Sequence, residues 1–271
     1  MTKSTVALVL DIEGTTTPIS FVHAVLFPFA RRVLTDPAFL RAHWNDAEFQ
    51  THVQALREQA AKDVAASTEF PKATLIPSDS ENIDVEYVIE QIISNIRWQM
   101  DADRKIGALK GLQGWVWRSG YDSGELVSQV FADVHPAVEK WVKDDIGPVY
   151  IYSSGSVEAQ KLLFKYTESG DFSSFISGNF DTVNAGLKQE ASSYAAIAKA
   201  IGLRGHTASD SDVKVERALF VSDMPREIRA AQQVSGWLAA LAMRPGNGAV
   251  TEEEKALAPN VTTFETLFEL I

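Results

Sequence analysis

VALVLDIEGTTTPISFVHAVLFPFA, residues 6–30, decides the fold of this chain. It opens on five apolar residues, Val6–Leu10, and stops at Asp11, with Glu13, Gly14 and three threonines behind. An apolar run this short, without alternation, is how a strand buried on both faces reads. Two later runs share the design: Val149–Tyr152 ends at Ser153, and Ala218–Val221 ends at Ser222 and Asp223. Helical segments lie around them: Val157–Tyr166 after the second run, Ala191–Ile201 before the third and Arg226–Val234 after it. Strands alternating with helices predict an α/β fold with a doubly wound parallel sheet of Rossmann-like type. Ligands of such sheets bind outside the carboxyl ends of the strands. Asp11, Ser153 and Asp223 should therefore gather at one edge. A fourth run, Trp237–Met243, stops at the turn Arg244-Pro245-Gly246-Asn247, and Val261–Phe264 could add an edge strand before a final helix.

The stretch from Ile19 to Gly124 reads differently. Phe27–Leu34, Phe49–Val64 and Val85–Met100 are helical, the last with apolar residues at 85, 88, 89, 92, 93 and 96, and Pro71–Ser80 is a polar break. The expected organisation is a core of residues 1–18 plus 127–271, with residues 19–126 as an inserted helical cap placed as a lid.

Composition narrows the function classes. Of 271 residues, 45% are apolar and 23% charged, as in an ordinary globular protein. The absence of cysteine excludes disulfides, thiolate metal sites and a cysteine nucleophile. A net charge of −11 argues against nucleic acid as a partner, because such binders displace counterions with a basic surface. Asp11 interrupts the N-terminal apolar run too early for a signal peptide, and no run is long enough to span a membrane. The expectation is a cytoplasmic chain, monomeric, with neither nucleic acid nor membrane as partner.

An anionic small substrate would need a local positive centre. Phosphoryl transfer asks for a carboxylate nucleophile, oxygen ligands for Mg2+, hydroxyls or amides for the phosphate oxygens, and a lysine for the remaining charge. The strand ends supply them: Asp11 as nucleophile, Ser153 and Ser154 as phosphate holders, Asp223 as metal ligand. Lys188, in Asn184-Ala185-Gly186-Leu187-Lys188, supplies the cation.

These residues carry a resemblance. Asp11-Ile12-Glu13-Gly14-Thr15 after an apolar strand resembles the first motif of the haloacid dehalogenase-like phosphatases. Tyr150-Ile151-Tyr152-Ser153-Ser154-Gly155 resembles their second, Lys188 their third, and Ser222-Asp223 with Glu227 their fourth, in the expected order. Most members carry aspartate at the second acidic position. Glutamate there, followed by Gly14-Thr15-Thr16-Thr17-Pro18-Ile19-Ser20-Phe21-Val22, is similar to the enolase-phosphatases (acireductone synthases) of methionine salvage. Leu112-Gln113-Gly114, Gly120-Tyr121 and Gly124-Glu125-Leu126 resemble the end of their cap.

The resemblance implies enolisation of 2,3-diketo-5-methylthiopentyl 1-phosphate, then removal of its phosphate to give an acireductone, with Mg2+ as cofactor. It implies that Asp11 binds metal and attacks phosphorus. Glu13 would offer the metal its backbone carbonyl and use its carboxyl as acid/base. Asp223 would complete the metal ligands, and Ser153, Ser154 and Lys188 would bind phosphate. Two alternatives stay open: a magnesium-dependent phosphatase for another small ester, and a non-catalytic phosphometabolite sensor.

Blander readings stand beside several of these residues. Ser153 and Ser154 could cap the following helix, and a lone lysine before a helix is often a surface charge. Glu227 is expected to hold Lys188 or a metal-bound water. His23, His43, His52, His135 and His206 have no metal-ligand spacing and read as structural or surface groups. Phe21 is expected to be buried. Trp115 and Trp117 should pack the cap, and Gly111 to Gly114 should form a substrate-facing loop with Gln113 against the diketone.

Overall fold

The computed structural model describes residues 5–66, 72–78 and 83–271; the side chain of Asp210 and, within the expected polar break, Pro71, Asp79 and Ser80 lie outside the described residues. The chain forms two compact units, Met1–His23 with Leu126–Ile271, and Ala24–Glu125. The boundaries expected at 18/19 and 126/127 thus fall at 23/24 and 125/126. Phe21, within the first unit, is buried, and its N–H bonds to the Pro18 carbonyl.

The first unit is an α/β sandwich. Its strands are β1 (Val6–Leu10), β2 (Val149–Tyr152), β3 (Ile176–Phe180), β4 (Arg217–Ser222), β5 (Trp237–Ala242) and β6 (Asn260–Val261). They form one sheet in the order β3-β2-β1-β4-β5-β6, and each neighbouring pair is parallel. The unalternating run of β1 now has its cause. Val6, Leu8 and Leu10 pack on one face with Val134, Val138, Trp141 and Phe164. Ala7 and Val9 pack on the other with Tyr194, Ile197, Ile228 and Ala231. Successive side chains of a strand point to opposite faces, so a strand covered on both must be apolar throughout.

β1 is central. The chain reaches β2 on one side of it and β4 on the other, which makes the carboxyl end of β1 the switch point of the sheet. β3 was not expected. Its sequence ISGNF is half-buried at the sheet edge, and Gly178 lies where a Cβ would come within 3.2 Å of the Tyr150 ring. A strand with a polar, glycine-containing sequence has no apolar signature to read. The last expected helix is a 3-10 turn, Phe264–Glu269, and the edge strand before it is only Asn260–Val261.

The second unit is helical, as expected: Phe27–Leu34, Pro37–Ala42, Ala47–Ala65, Val85–Asp101 and Gly107–Asp122. Asp36, Asp46 and Asp84 cap three of these helices, accepting bonds from the backbone N–H groups of the first turn. Phe49 and Trp115 stack at 5.3 Å in its core, and the Trp117 indole N–H donates to the Leu26 carbonyl at 2.9 Å. One expectation fails here. Gly111 to Gly114 is not a loop but the middle of the helix Gly107–Asp122, and Gln113 is buried. Leu109, Leu112, Trp115 and Val116 fall on one helical face, and their burial outweighs roughly 1 kcal/mol per interior glycine.

Candidate active site

Asp11 sits at the switch point, just beyond β1, and is buried. Its backbone N–H donates to the Val221 carbonyl of β4 at 3.0 Å, which extends the ladder by one residue. Both carboxylate oxygens are held. Oδ1 accepts from the Ile12 N–H at 2.7 Å and from the Lys188 ammonium at 2.6 Å; Oδ2 accepts from the Ser222 hydroxyl at 3.0 Å.

The turn that follows is wound around one acceptor. The N–H groups of Thr15, Thr16 and Thr17 all point at the Ile12 carbonyl, and the Gly14 N–H donates to the Thr17 carbonyl at 2.8 Å. Gly14 takes φ +70°, which glycine adopts without strain. It is also required by space, since a Cβ there would collide with the Asp223 carboxylate and lie 3.1 Å from Asn247 Oδ1. The Thr15 hydroxyl accepts the Asp223 N–H at 3.1 Å, tying the turn to the end of β4.

Lys188 is buried, not a surface charge. It spans Asp11 at 2.6 Å and Glu227 Oε2 at 2.7 Å. Its loop is pinned by hydroxyls that donate to backbone carbonyls: Tyr152 to Gly186, Ser193 to Leu187 and Tyr194 to Lys188, each at 2.8 Å. Burial alone would push the ammonium down; the facing carboxylates of Asp11 and Glu227 hold it above its ordinary value instead. Glu227 is thus the partner of Lys188, as the sequence suggested, and it also meets the Ser222 hydroxyl at 2.7 Å.

The acids outnumber the cations. Asp223 is pushed up to about 7, by burial first and by the charge of Asp11 second. Glu227 is pushed up to about 7 by the same two causes, with Lys188 opposing. One buried lysine does not neutralise Asp11, Asp223 and Glu227 together. Such a site favours a further cation, and its donors are hard oxygens, the kind magnesium takes. Among the described residues no three His, Cys, Asp or Glu side chains are grouped to hold a metal. Glu227 being engaged by Lys188 and Ser222, Asp11 and Asp223 are the two carboxylates that could serve such an ion. That suits an ion that keeps several waters and uses one or two carboxylates. Asn247 adds an observation: its amide N–H groups donate to the Gly14 and Ala242 carbonyls, while its buried Oδ1 has no bonding partner.

The remaining expected residues are distributed as follows. Ser153 and Ser154 follow β2, which is in register with β1 through Ile151 and Leu10, and so open onto the same sheet edge. Ser153 is buried and its hydroxyl accepts the Gly155 N–H at 3.3 Å; Ser154 is exposed. Neither caps the next helix, Val157–Lys165: that role falls to Ser156, which accepts from the Ala159 N–H. The Glu13 side chain bonds His23, Nε2 to Oε1 at 2.9 Å. Reading His23 as a surface or structural group missed this pairing, because nine residues of turn and helix separate the two and no fixed spacing announces the contact. Ser222 stands in the fourth motif with no contact assigned to it; only the approach of β4 to β1 puts its hydroxyl on the Asp11 carboxylate.

Comparison with known proteins agrees with this geometry. Residues 5–235 match the haloacid dehalogenase-like hydrolase family. An enolase-phosphatase E1 of Salmo salar is 41% identical over 97% of this chain and 95% of its own. One from Synechococcus elongatus is 43% identical over 91% and 92%. The chain belongs to the haloacid dehalogenase-like hydrolases, in the enolase-phosphatase E1 family. The UTR4 protein of Saccharomyces cerevisiae has the same fold, with a TM-score of 0.70 at 34% identity over 97% of this chain and 99% of that one. A 2-haloacid dehalogenase of Pseudomonas syringae shares the fold at 13% identity, with a TM-score of 0.52 over 98% and 97%. Within this hydrolase family, the glutamate at position 13 and the Asp11–Lys188 contact are what the site adds to the family assignment.

Proposed function

We propose that this hydrolase enolises 2,3-diketo-5-methylthiopentyl 1-phosphate and then removes its phosphate, giving the acireductone of methionine salvage, with magnesium as cofactor. The observation that carries the reading is the buried contact of Asp11 with Lys188 at the end of the central strand, with a glutamate two residues on. In this reading Asp11 attacks phosphorus and forms an aspartyl phosphate, while the P–O bond to the enol oxygen breaks. Lys188 bears on the phosphoryl oxygens, and Ser153 and Ser154 hold the phosphate in place. Glu13 serves as acid/base, and its carboxyl protonates the departing oxygen in the second stage. It then accepts a proton from the water that hydrolyses the acyl phosphate. Asp11, Asp223 and the Glu13 carbonyl would hold magnesium, which when bound offsets phosphate charge.

The reading also takes the enzyme as cytoplasmic and monomeric. Among the described residues no helix is long and apolar enough to cross a membrane.

Turnover of the diketone phosphate tests this directly. Enol absorbance should rise and fall, followed by inorganic phosphate, and only with magnesium present. Phosphate release with no enol would leave a phosphatase for another ester, and binding without any turnover would leave a sensor. Asp11→Asn should lower phosphate release at least about a thousandfold while the fold survives; retained turnover would remove Asp11 from its role.

A further inference from the structure

The partner of Glu13 is a residue that the expected chemistry does not use. His23 Nε2 lies 2.9 Å from Glu13 Oε1. Both side chains are partly open to solvent, at 65% and 42%. An exposed ion pair of this kind contributes little to stability, so folding alone does not account for it. Three features of the local backbone bring the two together. The turn is closed by the bonds to the Ile12 carbonyl and by a bridge between Glu13 and Thr17. Phe21 anchors the next segment by burial. His23 then stands in a π-helical turn, Val22–Leu26. Such turns are rare, and they recur at functional sites because they re-aim a side chain.

We propose that His23 is the positioning residue of the acid/base Glu13: its ring N–H occupies Oε1 and leaves Oε2 as the oxygen that carries and delivers the proton. The inference rests on the assignment of Glu13 as acid/base. A carboxyl group has two oxygens that exchange places by rotation, and a proton on the wrong one is useless to a leaving group on one side. A donor fixed on Oε1 breaks that equivalence. The imidazole donates from Nε2 to a carboxylate when charged and, when neutral, as its Nε2–H tautomer. In the dephosphorylation step the proton leaves Glu13 Oε2 for the ester oxygen as the P–O bond breaks and the bond to Asp11 forms. His23 keeps its own hydrogen throughout.

The role predicts which reactions feel the loss of the ring. Departure of an aliphatic or enol oxygen needs a proton, whereas 4-nitrophenolate leaves without one. His23→Phe should therefore lower kcat for phosphate release from the diketone phosphate by about tenfold, a part of the usual yield of general acid–base catalysis, with KM unchanged. With 4-nitrophenyl phosphate the same variant should stay within about threefold of the parent. His23→Gln, whose amide can donate to Oε1, should recover most of the loss. In a Glu13→Gln background, His23→Phe should cost nothing further. An unchanged rate in His23→Phe, an equal loss on both esters, or full additivity with Glu13→Gln would each overturn the proposal. If the parent enzyme releases phosphate from the diketone phosphate without any enol, the enolase reading fails, while the comparison of esters still decides the role of His23.

Discussion

Asp223 shows at the scale of one residue what the site requires. Its ordinary value as a free carboxyl is 3.8, and in the folded chain it is pushed up to about 7 by burial and by Asp11. A folded-state value above the unfolded one means that the folded chain binds more protons between these limits. The contribution of Asp223 to stability without magnesium then falls as pH rises from about 4 to about 7, and stays level above. Asp223→Asn removes the charge that causes the penalty. At pH 8 without magnesium the variant should melt about 2–4 °C above the parent, and below pH 4 the difference should vanish. Added magnesium should raise the melting temperature of the parent at pH 8 and leave the variant unmoved. A variant that melts lower at pH 8 would contradict the electrostatic account of this site.

At the scale of an element, the turn Ile12–Thr17 positions two functional groups through one glycine. Gly14 combines φ +70° with a space already filled by Asp223. Gly14→Ala forces a side chain into the left-handed region, at about 1–2 kcal/mol, and displaces the Asp223 carboxylate. The expected result is a modest loss of stability by denaturant titration, with a much larger loss of magnesium affinity by calorimetry. Equal magnesium affinity in the variant would mean that the packing of Gly14 against Asp223 has no bearing on the site. The loop before Lys188 follows the same logic, since three hydroxyls hold the carbonyls of Gly186, Leu187 and Lys188.

At the scale of the whole chain, each unit has its own buried residues, and Asp11, Lys188, Ser222, Asp223 and Glu227 all lie in the α/β unit. The strands that meet there come from residues 6–10, 149–152 and 217–222, so the site exists only once distant segments have paired. Trp141 is one of the largest side chains that stabilise this pairing. It is fully buried beneath the sheet, and its indole N–H donates to the Val6 carbonyl at 3.3 Å. Trp141→Ala should destabilise the chain by about 3–5 kcal/mol, read from the denaturant midpoint. A loss under about 1 kcal/mol would show that the helix Val134–Lys143 is dispensable to the sheet.

Much of this was legible in the residues themselves. A strand covered on both faces has to be apolar at every position, so the central strands announced themselves, and the parallel α/β class followed from their alternation with helices. Asp11, Ser153 and Asp223 were found by the rule that strand ends gather at one edge. Glu13 stood out because it is a longer acid than the first motif usually carries. The half-exposed strand Ile176–Phe180 and the helix running through Gly111 and Gly114 were missed, because their local composition contradicts what burial imposes. Of the pairings within the site, Glu227 with Lys188 was legible, whereas Lys188 on Asp11, Ser222 on Asp11 and His23 on Glu13 were beyond reach. Local sequence determines which segments must be buried and where each strand must end. Which charges then face one another, and so which are driven to hold or share a proton, is set by contacts between segments far apart in the chain.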